Sequence, residues 1–300
     1  MSFVVVLTAD PALLHASALD HTTVAGVRAA LRARAEPRWL APAIASEIAI
    51  DAALPDALAA ARAVLGHRPI DLNVVPAANR RKRLLVADME STMIENEMLD
   101  ELADFLGLRE KIAGITARAM NGEIDFAGAL TERVGLLKGL PTAKLDEAAG
   151  RIRYMPGGAT LVATMKRHGA SCALVSGGFT YFTAMVRERL RFDSDAANRL
   201  AVSGGTLAGT VEPPILGKEA KLATLHKLAG ERGIGVADAI AVGDGANDLP
   251  MLKAAGLGVA FRAKPAVAAE VPARINHGDL TALLYLQGYR RSEFVEEENP

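Results

Sequence analysis

A single cysteine, Cys172, in 300 residues leaves no partner for an internal disulfide, which fits a reducing, cytoplasmic compartment. Charge of one sign is also lacking. The 34 Lys and Arg stand against 35 Asp and Glu, a formal net charge of −1, with both signs mixed along the chain. That balance argues against nucleic acid or an anionic membrane as the main partner. No uninterrupted apolar run approaches the roughly 18–20 residues of a membrane helix, and no cleavable signal pattern opens the chain. The expectation is a soluble protein. The only basic cluster, Asn79-Arg80-Arg81-Lys82-Arg83, reads as a solvated linker. What the chain has in quantity is apolar material, 50% of its residues. That is enough for a large core in two domains, or in one domain with an insertion.

The first unit, residues 1–78, reads as a small α+β domain. Phe3 to Leu7 is a β-branched run, His21 to Arg34 has helical spacing, and Ile44 to Ile50 is strand-like. Leu54 to Leu65 is an alanine-rich helix, and Asp71 to Pro76 is another strand. A β-α-β-α-β alternation of this kind suits a small sandwich. No glycine-rich loop or polar cluster marks it as ligand-binding.

The second unit, residues 83–300, is organised around Leu84 to Glu101. Leu84-Leu85-Val86-Ala87 reads as a buried parallel strand, and Asp88-Met89-Glu90-Ser91-Thr92 follows at its carboxyl end. In an open α/β sheet that edge is where ligands bind. Two further strands carry polar motifs at the same end: Cys172 to Val175 leads into Ser176-Gly177-Gly178-Phe179, and Ala239 to Val242 into Gly243-Asp244-Gly245-Ala246-Asn247-Asp248. Lys221 lies between them. Met98 to Gly150 keeps helical periodicity without a strand signal, so it predicts a helical cap at about 95–152, inserted between the first two strands. Leu161 to His168 reads as a helix, Asn198 to Val211 as a β-hairpin, and Leu257 to Phe261 as a late strand. The acidic tail from Ser292 is expected to fray.

In this order the motifs resemble the four that define the haloacid dehalogenase superfamily of phosphotransferases, and residues 84–285 resemble its phosphoserine phosphatases in particular. That resemblance implies a Rossmann-like parallel sheet with a helical cap, preceded by a small domain similar to the amino-acid-binding ACT fold. Such a domain serves regulation, or assembly into a homodimer, or packing. It further implies Mg²⁺-dependent hydrolysis of O-phosphoserine to serine and phosphate, the last step of serine biosynthesis, through an aspartyl-phosphate. A phosphomonoester dianion repels a carboxylate nucleophile, and a hard cation between them removes the repulsion.

By the same resemblance Asp88 is the nucleophile, and Asp88 and Asp244 bind the metal together with the main-chain carbonyl of Glu90. Asp248 holds a metal-bound water or orients Lys221. Lys221, Ser176 and Gly177 stabilise the transferring phosphoryl, and Asn247 orients Asp248 or reaches the phosphate. Glu97 receives the substrate's ammonium, Arg133 its carboxylate, and Met120 and Phe126 shield the pocket. One departure stands out: the family pattern has aspartate at position 90, as general acid and base, and this chain has Glu90. The alternatives are a phosphatase or phosphotransferase acting on another small phosphomonoester, such as phosphohomoserine, or a regulatory protein with an impaired site.

Overall fold

The computed structural model describes residues 2–13, 19–120 and 123–297 and contains two sheets. The smaller has four antiparallel strands in the order β2-β3-β1-β4: β1 (Phe3–Ala9), β2 (Arg38–Ala41), β3 (Ala45–Ile50) and β4 (Ile70–Pro76). Helices α1 (His21–Ala30) and α2 (Pro55–Leu65) complete a split β-α-β pattern. Alternation along β1 sends Val5, Leu7 and Ala9 to Val24 and Val27 of α1 and Ala61 and Leu65 of α2. Val4 and Val6 point the other way and join the core of the larger unit. Asp20 caps α1 by accepting the Thr23 N–H at 2.6 Å.

Strand β2 is an addition to the expected alternation. It has four residues, pairs only with β3 and follows Pro37, so neither length nor periodicity announces it.

The larger sheet has seven strands in the order β11-β10-β9-β5-β6-β7-β8, parallel except for β8 at one edge. These are β5 (Leu84–Ala87), β6 (Ser171–Phe179), β7 (Ser194–Ser203), β8 (Thr206–Glu212), β9 (Ala239–Gly243), β10 (Leu257–Phe261) and β11 (Ala273–Ile275). All four residues of β5 are fully buried between β6 and β9. The chain departs from β5 to one side first and returns later to the other, so the carboxyl end of β5 is the topological switch point of the sheet. Four helices fill the connection from β5 to β6: α3 (Met98–Asp104), α4 (Arg109–Met120), α5 (Phe126–Gly135) and α6 (Ala143–Ala149). Helix α7 (Gly158–Arg167) then leads back to the sheet, and α8 (Thr180–Leu190) follows β6. The remaining helices are α9 (Lys218–Glu231), α10 (Leu249–Ala254), α11 (Pro265–Glu270) and α12 (Ala282–Leu286). Among the described residues no helix is long and apolar enough to cross a membrane.

Two expectations are corrected. The basic cluster is only in part a solvated linker: Asn79, Arg81 and Arg83 are exposed, whereas Arg80 is half-buried and Lys82 buried. Lys82 is buried and donates to the Ala237 carbonyl at 2.7 Å. Arg80 joins Glu47 of β3 at 2.8 Å and donates to the carbonyls of Tyr285 and Leu286, while Arg81 stacks on the Tyr289 ring. Planar guanidinium groups can satisfy several carbonyls at once, which suits them to a polar seam between units. Nor does the tail fray as far as Glu297. Phe294 packs on Tyr285 with ring centroids 5.0 Å apart, and the Val295 N–H donates to Thr164 Oγ1 at 2.9 Å. One aromatic anchor outweighs the acidic composition.

The two sheets are joined by β4. Asp71 accepts the N–H groups of Asn276, His277 and Gly278 at 2.9–3.1 Å, and Asn73 exchanges two hydrogen bonds with the Arg274 backbone. Asp71 is buried, so its removal strands three donors. Asp71→Ala should lower the stability of the folded chain by about 2–3 kcal/mol, read as an earlier urea midpoint, with Asp71→Asn losing less. Unchanged midpoints would mean that this seam contributes nothing.

Candidate active site

The site forms where three strands of the large sheet end side by side. Asp88 continues the ladder of β5, its N–H donating to the Val242 carbonyl at 3.0 Å. The next residues close a tight turn in which Met93 and Ile94 N–H both donate to the Met89 carbonyl, with Ser91 in the left-handed region at φ 55°. Met89 is fully buried in the core. Its anchorage holds the two acids on either side of it toward the ligand edge.

Lys221, from the first turn of α9, reaches this edge and places Nζ 2.6 Å from Asp88 Oδ1 and 2.6 Å from Asp248 Oδ1. All three side chains are almost wholly buried. Asp248 Oδ2 accepts the Gly245 N–H at 3.0 Å, so the carboxylate folds back over the loop that follows β9. A methyl group at Gly243 would lie 2.4 Å from Asp248 Cγ, and only glycine leaves room for that fold. Asn247 bends its side chain onto Gly245, and Asp248 rather than Asn247 precedes α10. Carboxylate oxygens of Asp88, Asp244 and Asp248 lie within 4.8 Å of one another.

Burial and the Asp248 charge push the Asp88 carboxyl well above the usual carboxylate range, with Lys221 opposing. Asp244 is pushed up to about 6, again by burial first and Asp248 second. Burial disfavours the Lys221 ammonium, but its two carboxylate partners outweigh this and hold its pKa above the ordinary lysine value. Hard oxygen donors in excess of nearby positive charge fit a divalent cation such as Mg²⁺, and do not fit a soft one.

The Ser-Gly-Gly motif breaks the ladder between β6 and β7. Val175 pairs with Ala196 and Phe179 with Asn198, so three residues of β6 face one of β7 between those pairs and bulge out. Ser176 is buried, and its Oγ accepts the Gly178 N–H at 2.9 Å, which leaves the hydroxyl proton available to a ligand oxygen.

Glu90 reaches across the same edge. Its Oε1 accepts the Met98 N–H at 2.8 Å, and a methyl group at Gly178 would lie 2.8 Å from its Oε2. The carboxylate therefore stands outside the three-acid cluster, and only its main-chain carbonyl remains as the expected ligand. Burial, reinforced by the Glu97 charge, raises its pKa to about 8.

The cap delivers the rest. Phe126 and Arg133 lie seven residues apart on α5 and so share a face. The Phe126 ring covers Gly177 and Gly217, 3.1 and 3.3 Å from where a methyl group on each would sit. Arg133 is held by the Ala129 carbonyl at 3.2 Å and Thr116 Oγ1 at 3.4 Å. Burial lowers its pKa, while Glu90, Glu97 and Asp100 act the other way. Glu97 sits just before α3 and accepts from Ser91 Oγ at 2.7 Å. Arg133 and Glu97 thus converge electrostatically on Glu90. Met120 ends α4, and its side chain lies outside the described residues.

Two side chains touching the site were passed over in the sequence. Ser91 stood inside the first motif, where its bond to Glu97 depends on a backbone turn that composition does not show. Asn198 is a lone buried amide in β7 that bonds to the Ser-Gly-Gly loop.

The family model described as haloacid dehalogenase-like hydrolase matches residues 85–253. A phosphoserine phosphatase of Lactococcus lactis is 44% identical over 203 residues, covering 68% of this chain and 94% of that protein. A phosphoserine phosphatase of Streptomyces coelicolor is 41% identical over 242 residues, 80% of this chain. Those residues are 58% of that relative, so the chain spans little more than half its length. The crystal structure of a HAD family hydrolase from Salmonella enterica serovar Typhi superposes with a TM-score of 0.84 at 29% identity, over 95% of this chain and 98% of that one. The chain belongs to the haloacid dehalogenase-like hydrolase family, and the two relatives matched here are phosphoserine phosphatases.

Proposed function

We propose that this chain is a Mg²⁺-dependent phosphoserine phosphatase of the cytoplasm, releasing serine and phosphate through an aspartyl-phosphate on Asp88. One observation carries the reading: a largely buried acid cluster, two of its acids sharing one lysine, stands under a cap that brings both an anion, Glu97, and a cation, Arg133, to the same mouth. A phosphate ester that also bears an ammonium and a carboxylate matches those three charges together. The matched relatives in Lactococcus lactis and Streptomyces coelicolor carry the same name for their activity.

Asp88 Oδ1 is fixed by Lys221 and by the Met89 N–H at 2.8 Å, which leaves Oδ2 to form the bond to phosphorus as the bond to the seryl oxygen breaks. Asp88, Asp244 and the Glu90 carbonyl would hold Mg²⁺, which when bound neutralises phosphate charge and polarises the phosphoryl group. Lys221, the Ser176 hydroxyl and the backbone N–H groups of the bulged loop take up charge on the phosphoryl oxygens. Glu90 gives a proton to the departing serine oxygen. It then takes one from the water that cleaves the aspartyl-phosphate, which restores both carboxyl groups. Phe126, seated on Gly177 and Gly217, keeps bulk water from that intermediate.

Asp88→Asn should reduce phosphate release from phosphoserine by about a thousandfold or more, and EDTA should stop the unmodified enzyme until Mg²⁺ is restored. Activity near the starting value in either case would rule out the nucleophile or the metal. Arg133→Ala and Glu97→Ala should each cost roughly 2–5 kcal/mol in kcat/KM for phosphoserine, with little change for an aryl phosphate that lacks both end groups. Equal losses on both esters would exclude a role in substrate choice.

Glu90→Gln should slow esters with poor leaving groups far more than activated aryl phosphates, which would show a burst followed by slow turnover. Glu90→Asp should be slower than the parent, because the shorter arm gives up the Met98 N–H. A faster Glu90→Asp enzyme would mean that the longer arm is a handicap.

A further inference from the structure

The phosphate-binding groups come from two segments far apart in sequence, the bulged Ser176-Gly177-Gly178 loop and the segment Leu216-Gly217 that leads into the helix bearing Lys221. One buried amide joins them. Asn198 Nδ2 donates to the Gly177 carbonyl at 2.8 Å and to the Leu216 carbonyl at 3.3 Å, while Asn198 Oδ1 accepts the Leu216 N–H at 2.7 Å. The residue is 1% exposed. Three of its four hydrogen-bonding valences are used on these two segments, and its own backbone is fixed in β7 opposite Phe179. A bulged loop has lost its ladder bonds and needs another restraint. The Gly177 carbonyl finds it here.

The same bonds set the spacing of Gly177 and Gly217, the two residues under the Phe126 ring. The ring closes over the site only where the two glycines lie at the separation it spans. Gly217 also starts α9, and its carbonyl accepts the Lys221 N–H at 3.3 Å, so the position of Leu216-Gly217 carries directly to the lysine.

We propose that Asn198 is a positioning residue for phosphate: by tying Gly177 to Leu216 it fixes the Ser-Gly-Gly cradle, the approach of Lys221 and the seat of Phe126 relative to one another. It touches no reacting atom. The inference rests on the reading of Ser176 and Gly177 as a phosphate cradle, and its consequence is a loss of phosphate affinity shared by every ester, whatever group the phosphate is attached to.

The test uses the full-length, Mg²⁺-loaded enzyme with inorganic phosphate as a competitive inhibitor and two substrates, phosphoserine and an aryl phosphate. Asn198→Ala removes the clamp. Asn198→Asp keeps the size and the acceptor for the Leu216 N–H but exchanges the N–H donors for an oxygen, and it serves where the alanine variant does not fold. Both should raise the inhibition constant for phosphate, and KM for both esters, by about tenfold or more, with a smaller change in kcat per active site. A merely structural role would lower the melting temperature and the fraction of active enzyme while leaving the inhibition constant of the folded fraction unchanged, and that result overturns the proposal. If inorganic phosphate did not inhibit the unmodified enzyme, the cradle reading would fall, and the inference with it. Equal inhibition of parent and variants would overturn the Asn198 assignment alone.

Discussion

Three carboxylates gathered beside one ammonium, two of them buried and the third half-buried, set the terms for the rest of the molecule. If Asp88, Asp244 and Asp248 are all ionised beside Lys221, the charges sum to −3 + 1 = −2. Burial makes such a sum costly, and the cost appears as the raised proton affinities of Asp88 and Asp244. A hard divalent cation brings the sum to zero without adding bulk, and a phosphate dianion then finds a site that no longer repels it. The sheet supplies the rigidity that this balance needs. Each of the four charges is placed by the end of a strand or the start of a helix, and Lys221 is held from two sides at 2.6 Å.

The cap is held to the sheet at a second place besides the Phe126 seat. Between α5 and α6, Gly139 donates to the Leu207 carbonyl, Leu207 donates to the Leu140 carbonyl, and Thr142 donates to Gly205. The β7–β8 hairpin therefore grips the cap near its tip, while Asn198 near its base bonds to the bulged loop. The small sheet contributes in another way. With Val4, Val6 and Val75 in the main core and α1 and α2 on its opposite face, both its surfaces are occupied.

The reach of the sequence follows from how local each signal is. The buried strand Leu84–Ala87 and the acids after it could be read because four consecutive apolar residues and a polar switch fall within nine positions. The cap could be read because helical period survives in Leu99, Leu102, Ile112 and Ile115, which are all buried. The inward turn of Arg80 and Lys82 is not legible locally, because their partners, Glu47, Ala237 and Tyr285, lie tens to hundreds of residues away. Asn198 was invisible for the same reason: an asparagine in a strand carries no meaning until Gly177 and Leu216 are brought to it.

Position 90 shows how a family pattern and a local fit can differ. The related pattern places aspartate there, and a carboxyl one methylene longer would ordinarily miss its mark, since an error on the order of 1 Å can cost about a hundredfold. Here the extra length is taken up at both ends. The turn around the Met89 carbonyl sets where the side chain starts, and the Met98 N–H and the bare Cα of Gly178 set where it finishes. A side chain fixed at its root, with one oxygen held and the other packed, has little rotamer freedom left to lose. What the structure fixes at this point is a carboxyl group at a given place. The length of the arm that puts it there is decided by the backbone around it.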